Sequence, residues 1–484
     1  VADIASVRES SISFVYHNRT FARIRAEMSP PPTGLGYRIV KASSLSSSGE
    51  ADGLSYERTS APLLFVFSFL YCWISIYPFE SLATLTVGSA ALNQLVGFGA
   101  AVAVVVFAFR NHTRSLMLQP KLLVGTVFGW LAIASLVAPD IVTALHRLVF
   151  TGVLCVLASG LVLMPSDQPQ FSRFLAIFSI AVLLLCYFGV LVVPARSVHQ
   201  AYDLGEPALA GDWRGVFAHK NITAPAMVML IFFGLYLAGA WSKTWGAVIA
   251  VLALLFLIKT HGKTANMMLP LTLLLVWWMT RYPRLASFAL ISVIAAFNFV
   301  ALGSALSSSI YKFVASIGID PTFTGRTDVW QLALNSVAKS PFIGYGFQSF
   351  WQKDELLKSA DVASTWAVAA AHSHNSYIET LLNGGLPALV LTLVWFLFLP
   401  LRDFRAAVDR NIAPDLTRLF ARMWVFSILS ASLESNFFLG TIPIWTSLLM
   451  AMFGLRLQAR ASLVAGAPVE KAVIQGITSR SRVP

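Results

Sequence analysis

From residue 61 to about 458 the chain alternates between apolar stretches, about a dozen of them, and short polar turns. Runs such as Ala61–Tyr77 and Val248–Ile258 hold no charged residue. A helix that is apolar on every side has to be buried, either in a protein core or in a bilayer. No soluble core of this size takes a dozen of them. The chain has 484 residues, of which 57% are hydrophobic and 12% charged, against roughly 25% charged in a soluble domain. The expected fold class is therefore an all-α polytopic membrane protein, because helices satisfy every backbone donor and acceptor inside lipid.

Spans are expected near 61–77, 88–109, 121–138, 141–164, 171–193, 222–241, 244–260, 264–280, 285–303, 376–400, 418–434 and 441–458. The net charge of +12 would suggest nucleic acid in a soluble protein, but here it orients the spans. Arg110, Arg114, Lys121, Arg173, Lys243, Arg281, Arg284 and the arginines at 402, 405, 410, 418 and 422 fall on one side. The opposite short loops, 78–87, 139–140 and 435–440, have neither Lys nor Arg. The positive-inside rule then predicts twelve spans with both termini cytoplasmic, and puts 194–221 and the long 304–375 loop outside. Residues 1–60, polar and Ser-rich, read as a disordered cytoplasmic tail without a signal peptide, and 459–484 as a second tail. Cys72, Cys155 and Cys186 lie in apolar spans and have no metal-type spacing.

Within the long loop, Arg326–Ala338 has helical spacing with Thr324 as its cap, and Phe350–Lys358 is a second short helix. The polar chemistry collects at 194–221, 259–266 and 304–376, all on the outer face. Asp212-Trp213-Arg214-Gly215-Val216-Phe217-Ala218-His219-Lys220-Asn221 precedes a membrane helix. Its cations, beside the free N–H groups of a helix start that Asn221 could cap, form an anion site or an anchoring collar. Lys263 sits in the tight turn Thr260-His261-Gly262-Lys263, as anion ligand or as a snorkelling side chain. His372 and His374, with Asn375 as orienter or cap, stand where the loop re-enters the membrane, and an imidazole there suits proton transfer. The alternatives are a solvated loop histidine or a metal ligand; metal is disfavoured because no carboxylate or cysteine accompanies the histidines at ligand spacing. Arg326 is either an oxyanion ligand or the partner of a loop carboxylate. No Asp-x-Asp motif and no loop carboxylate pair accompanies His374. Asn383-Gly384-Gly385-Leu386-Pro387 predicts a kinked membrane helix.

WRGVFAHKN (213–221), THGKTA (260–265), FTGRTDVW (323–330), SPFIGYGFQSF (340–350) and HSHNSYIETLLNGGLPALV (372–390), in this order, resemble the O-antigen ligase/polymerase superfamily of bacterial inner-membrane glycosyltransferases. The layout matches over roughly residues 60–455. The His-Lys-Asn at 219–221 and Lys263, where ligases more often carry Arg, look closer to exopolysaccharide polymerases of the succinoglycan type. The resemblance implies a GT-C-like architecture and an inverting, metal-independent glycosyl transfer at the periplasmic face, with no cofactor. It also implies an undecaprenyl-diphosphate-linked glycan donor and acceptor, membrane lipids around the bundle, and export or chain-length proteins as partners, with no role for nucleic acid. Arg214 and Arg326 match the family's arginines and would clamp the diphosphate. Lys220 and Lys263 would assist, with His219, Asn221, His372 and Asn375 lining the site. His374 would be the general base. The aromatics Tyr345, Phe347, Trp351 and Trp366 could stack on sugars or pack the loop. The alternatives are a ligase with another acceptor, a lipid-linked sugar flippase and a non-catalytic scaffold. A flippase would predict ionisable residues at the bilayer midplane, and the spans hold few.

Overall fold

The computed structural model of the chain describes residues 62–80, 90–203, 207–351, 367–368 and 370–460. All of them lie in the unit Tyr56–Pro484. The N-terminal tail, almost all of the C-terminal tail, most of the helix expected at Phe350–Lys358, and Trp366 lie outside the described residues.

Among the described residues the regular elements are helices, with one isolated bridge between Val198 and Trp213, and the architecture is that of a polytopic helical membrane protein. In chain order the helices are α1 (Pro62–Ile74), α2 (Ala90–Arg110), α3 (Lys121–Ala134), α4 (Ile141–Leu161), α5 (Gln168–Val192), α6 (Lys220–Ala240) and α7 (Lys243–Lys259). There follow α8 (Lys263–Arg281), α9 (Ala286–Leu306), α10 (Ser308–Ser316), α11 (Arg326–Lys339), α12 (Ser376–Arg410), α13 (Pro414–Ser430) and α14 (Pro443–Arg460). A helix occupies each of the twelve expected span positions. Six of them, α2, α4, α5, α6, α9 and α12, are long and apolar enough to cross a membrane unaided. The other six positions hold helices that are shorter or more polar.

Burial sorts these helices. Within α6, 78% of the spanning window is buried, against 28% in α2 and 22% in α9. So α6 is the central post, while α2 and α9 face outward. The pairing of α6 with α7 depends on small residues. A Cβ on Gly234 would lie 2.7 Å from the Ala250 nitrogen, and one on Gly246 would lie 2.2 Å from the Ala238 nitrogen. Close backbone approach of this kind is how membrane helices gain packing without a hydrophobic drive. It brings the start of α6 beside the end of α7, where Trp213 donates its N–H to the Lys259 carbonyl at 3.0 Å.

The predicted kink in α12 is present. Gly384 and Gly385 leave helical geometry, Gly385 at φ +67°. The opened turn receives the loop 340–350. Tyr345 donates to the Leu382 carbonyl at 2.7 Å, Leu386 donates to the Pro341 carbonyl at 2.8 Å, and the Trp130 indole donates to the Gly384 carbonyl at 2.7 Å. A Cβ on Gly385 would lie 2.2 Å from the Phe342 carbonyl carbon, so only glycine fits. A second irregularity, a π turn at Val394–Phe398, exposes the Phe396 carbonyl to the Trp424 indole at 2.7 Å.

Two sequence expectations about caps are corrected. Gly325, in the left-handed region at φ +81°, precedes α11 in place of a Thr324 side-chain cap; Thr324 instead donates its N–H to Asp320 at 2.9 Å. On α6 the cap is His219, whose Nδ1 accepts from the Asn221 N–H at 3.0 Å, so Asn221 is the capped residue.

Candidate active site

Two polar clusters carry the residues singled out from the sequence. The first forms where the segment 372–376 runs along the turn 431–436. Asn375 caps α12 as expected, its Oδ1 accepting from the Tyr377 and Ile378 N–H groups at 3.0 and 3.1 Å. Its amide nitrogen donates to Asn298 of α9 and to the Ser432 carbonyl, both at 2.9 Å. The Ser376 hydroxyl donates to the Glu434 carbonyl at 2.8 Å and accepts from the Asn436 N–H at 2.7 Å. These bonds fix the chain on both sides of His374, which sits at φ +53°. Histidine is one of the few residues beside glycine that take the left-handed region readily, and His112 and His261 do so in this chain as well.

Glu434 is the centre of this cluster. Its Oε1 accepts from Arg326 at 2.6 Å, and its Oε2 lies 3.5 Å from His374 Nδ1. Arg326 also donates to the Leu433 carbonyl. The three side chains are 15–18% exposed, enclosed yet reachable. His372 stacks edge-on against His374 at 4.2 Å between ring centroids, and its Nδ1 faces the His374 N–H at 3.4 Å. Burial acts to raise the Glu434 carboxyl, but Arg326 and His374 outweigh it and hold it down to about 2. Burial, with His374 beside it, pushes His372 down to about 4. At neutral pH the cluster thus holds an ionised carboxylate, a guanidinium and an uncharged His372.

The second cluster lies at the start of α6. Asp212 accepts from Lys220 Nζ at 2.5 Å and meets His261 Nδ1 at 2.6 Å. Burial would raise the Asp212 carboxyl, but these two bonds win and lower it. Behind them the buried His199 lies 3.4 Å from Asp203, and its Nε2 accepts the Lys220 N–H at 3.3 Å. The His219 ring meets the His199 ring edge-on at 4.8 Å. Asn221 and Lys263 are exposed. Lys263 helps lower the Asp320 carboxyl, behind the larger effect of the Thr322 hydroxyl, which places it in electrostatic range of the loop leading to Arg326.

Arg214 is brought to neither cluster as a free cation. It is 1% exposed, and its guanidinium donates to the carbonyls of Phe217, Ala218 and Glu80 at 3.3, 2.9 and 2.9 Å. In this conformation it holds the shape of the 212–219 loop. Three aromatics of the long loop turn inward too, while Phe342 and Phe313 of the same segment are exposed. Phe347 is fully buried, the Tyr345 hydroxyl donates to the Ser336 carbonyl at 2.8 Å, and the Trp351 indole donates to the Glu379 carboxylate at 3.1 Å.

Sequence reasoning gave no role to Glu434, Asp212, His261, His199 or Asn298. The sequence puts Glu434 at the end of the span 418–434, whereas α13 closes at Ser430 and leaves it in the following turn. Its signal in the sequence is the polar run Ser430, Ser432, Glu434, Ser435, Asn436. Among the described residues, no group of three or more His, Cys, Asp or Glu side chains could hold a metal ion.

Residues 226–393 match the family described as O-antigen ligase. That stretch contains Lys263, Arg326, His372, His374 and Asn375, while Arg214, His219, Lys220, Asn221 and Glu434 fall outside it. Over 83 residues the chain is 32% identical to the exopolysaccharide production protein ExoQ of Rhizobium meliloti (strain 1021). The match takes in 16% of this chain and 18% of that relative, so the chain spans under a fifth of the curated protein it matches. Motifs, family match and curated relative agree, and the chain resembles the O-antigen ligase superfamily on its exopolysaccharide side.

Proposed function

We propose that this protein is a polysaccharide polymerase of the bacterial inner membrane, extending exopolysaccharide from repeat units carried on undecaprenyl diphosphate. In this reading the twelve helical positions are spans, both termini are cytoplasmic, and the 194–221 and 304–375 segments face the periplasm. The single observation that carries the reading is the shared carboxylate: Glu434 touches both Arg326 and His374 at the loop face.

A carboxylate at Nδ1 favours the imidazole tautomer with its lone pair on Nε2. His374 would then take the proton of the acceptor hydroxyl as its oxygen attacks the anomeric carbon. The bond from that carbon to the diphosphate breaks on the opposite side, its electron pair leaves with the diphosphate, and the configuration inverts. The transition state is oxocarbenium-like, and a diphosphate leaves without a general acid once its charge is met. Arg326, Lys220 and Lys263 supply that charge, so the reading takes the transfer as metal-independent. Arg214 would act by keeping the 212–219 loop in shape. Export or chain-length proteins are the expected partners for the product.

A ligase is the second reading, favoured by the family description over residues 226–393. It shares donor and site and differs in acceptor. A deletion strain separates the two by its glycans. Single repeat units without long chains support the polymerase, whereas intact polymer left on its carrier supports the ligase. His374→Ala should lower chain extension by about 100-fold or more; a variant that still makes long polymer at the wild-type rate overturns the assignment.

A further inference from the structure

Away from the loop face, the turn between α8 and α9 and the end of α12 form an open cleft of about 710 Å³. Arg281, Arg284, Arg405 and Asp409 line it, with Tyr282 and Leu285. Arg405 builds the cleft: its Nε donates to the Pro283 carbonyl at 3.1 Å and its NH2 to the Arg284 carbonyl at 3.0 Å, tying α12 to the turn. Arg281 and Arg284 are exposed, and the Arg281 guanidinium stands 5.5 Å from the Tyr282 ring centroid. Three guanidinium groups face one carboxylate.

The cleft opens onto an apolar outward face. Trp277 lies one turn before Arg281 on the same side of α8, and Leu274 one turn earlier; they are 63% and 61% exposed. At the start of α9, Leu285, which precedes the helix, and Phe288 in its first turn are 53% and 74% exposed. A free phosphate would need only the arginines. A phospholipid needs cations and apolar stripe together, with aromatic rings near the boundary between them. Guanidinium is also the cation that matches phosphate oxygens two at a time.

We propose that this cleft holds the headgroup phosphate of an anionic phospholipid, with its acyl chains lying along Trp277 and Phe288. Cations that merely orient the spans require neither a cleft tied together by Arg405 nor exposed apolar side chains beside it.

The test uses the full chain in phosphatidylcholine nanodiscs, with and without phosphatidylglycerol, reading the melting temperature and the phosphatidylglycerol retained after detergent extraction. Phosphatidylglycerol should raise the melting temperature of the wild type, and inorganic phosphate in phosphatidylcholine discs should not. The pair Arg281→Ala and Arg284→Ala leaves Arg405 and its turn in place. It should abolish the shift and weaken lipid retention about fivefold per arginine removed. Arg110→Ala with Arg114→Ala, on a different turn, should keep the shift. The proposal is overturned if the Arg281/Arg284 variant retains lipid like the wild type, if the Arg110/Arg114 variant loses it equally, or if phosphate alone reproduces the effect.

Discussion

Arg326 and Glu434 stand 108 residues apart in the chain and meet at 2.6 Å. The arginine begins α11, the glutamate lies in the turn between α13 and α14, and His374 approaches the same carboxylate from the start of α12. One acidic group therefore sets the position of both the cation and the imidazole assigned to the reaction.

Glu434→Gln keeps the size of the side chain and removes its charge. A partner that orients a reacting imidazole is worth about 10–100-fold. The turnover rate in a transfer assay with lipid-linked repeat units should fall by that factor, with the KM for donor little changed. A rise in KM at constant rate would make Glu434 a binding residue and not an orienting one.

Arg326→Lys preserves charge but loses the fork. It can keep one of the two acceptors, the Leu433 carbonyl or the Glu434 carboxylate, and a hydrogen bond to a charged group is worth about 1.5–3 kcal/mol. Activity should drop at least about tenfold. Wild-type turnover in this variant would remove Arg326 from the site.

The two shifted groups of the cluster predict an acid response in two stages. His372 is held at about 4 against an ordinary 6.5 by burial and then by His374, so the unfolded chain takes up its proton first. The stability of the neutral ring is whole above pH 6.5 and is lost as pH falls from there to about 4. Glu434, held at about 2 against an ordinary 4.5 by Arg326 and His374 despite its burial, contributes stability that is lost below 4.5. His372→Gln should flatten the fall in melting temperature between pH 7 and 5, whereas Glu434→Gln should not. An unchanged slope in His372→Gln would show that its ring does not titrate against folding.

Gly385 and Gly125 make a matched pair. A Cβ at Gly385 runs into the Phe342 backbone, and φ there is +67°, so Gly385→Ala should cost about 1–3 kcal/mol or more. Gly125, inside α3, has nothing within 4 Å of a built Cβ, and its change to Ala should be neutral or stabilising by up to about 1 kcal/mol. Melting temperatures of the two variants in the same detergent decide it; equal values would mean that the loop is not seated in the kink.

Chelation tests the source of positive charge. With Arg326, Lys220 and Lys263 as the cations, transfer should continue in excess EDTA. Loss of activity that a divalent cation restores would move the leaving-group chemistry from these side chains to a metal.

How much of this was legible in the sequence depends on the reach of each interaction. The helix positions, the Asn375 cap and the break at 383–387 follow from neighbours within a few residues, and all three are present. The start of α6 was legible only in part, because whether His219 or Asn221 caps it turns on a two-residue difference in backbone angle. The partnership of Glu434 with Arg326 was not legible at all, since no local pattern ties a turn after α13 to the start of α11. Arg214 shows the same limit: its cation was visible in the motif, but the carbonyls that take up its hydrogen bonds were not. Neither was the reuse of Tyr345, Phe347 and Trp351 as packing for the loop.

The seat that the α12 kink offers to the loop also sets an order of assembly. Its bonds join Trp130 to Gly384 across 254 residues, and Tyr345 to Leu382. The 340–350 segment cannot settle while it is being synthesised, because its receptor has not yet been made. Closing such distant contacts is slow, so the 340–350 loop waits until α12 has entered the bundle. The candidate site is then among the last parts of the molecule to mature.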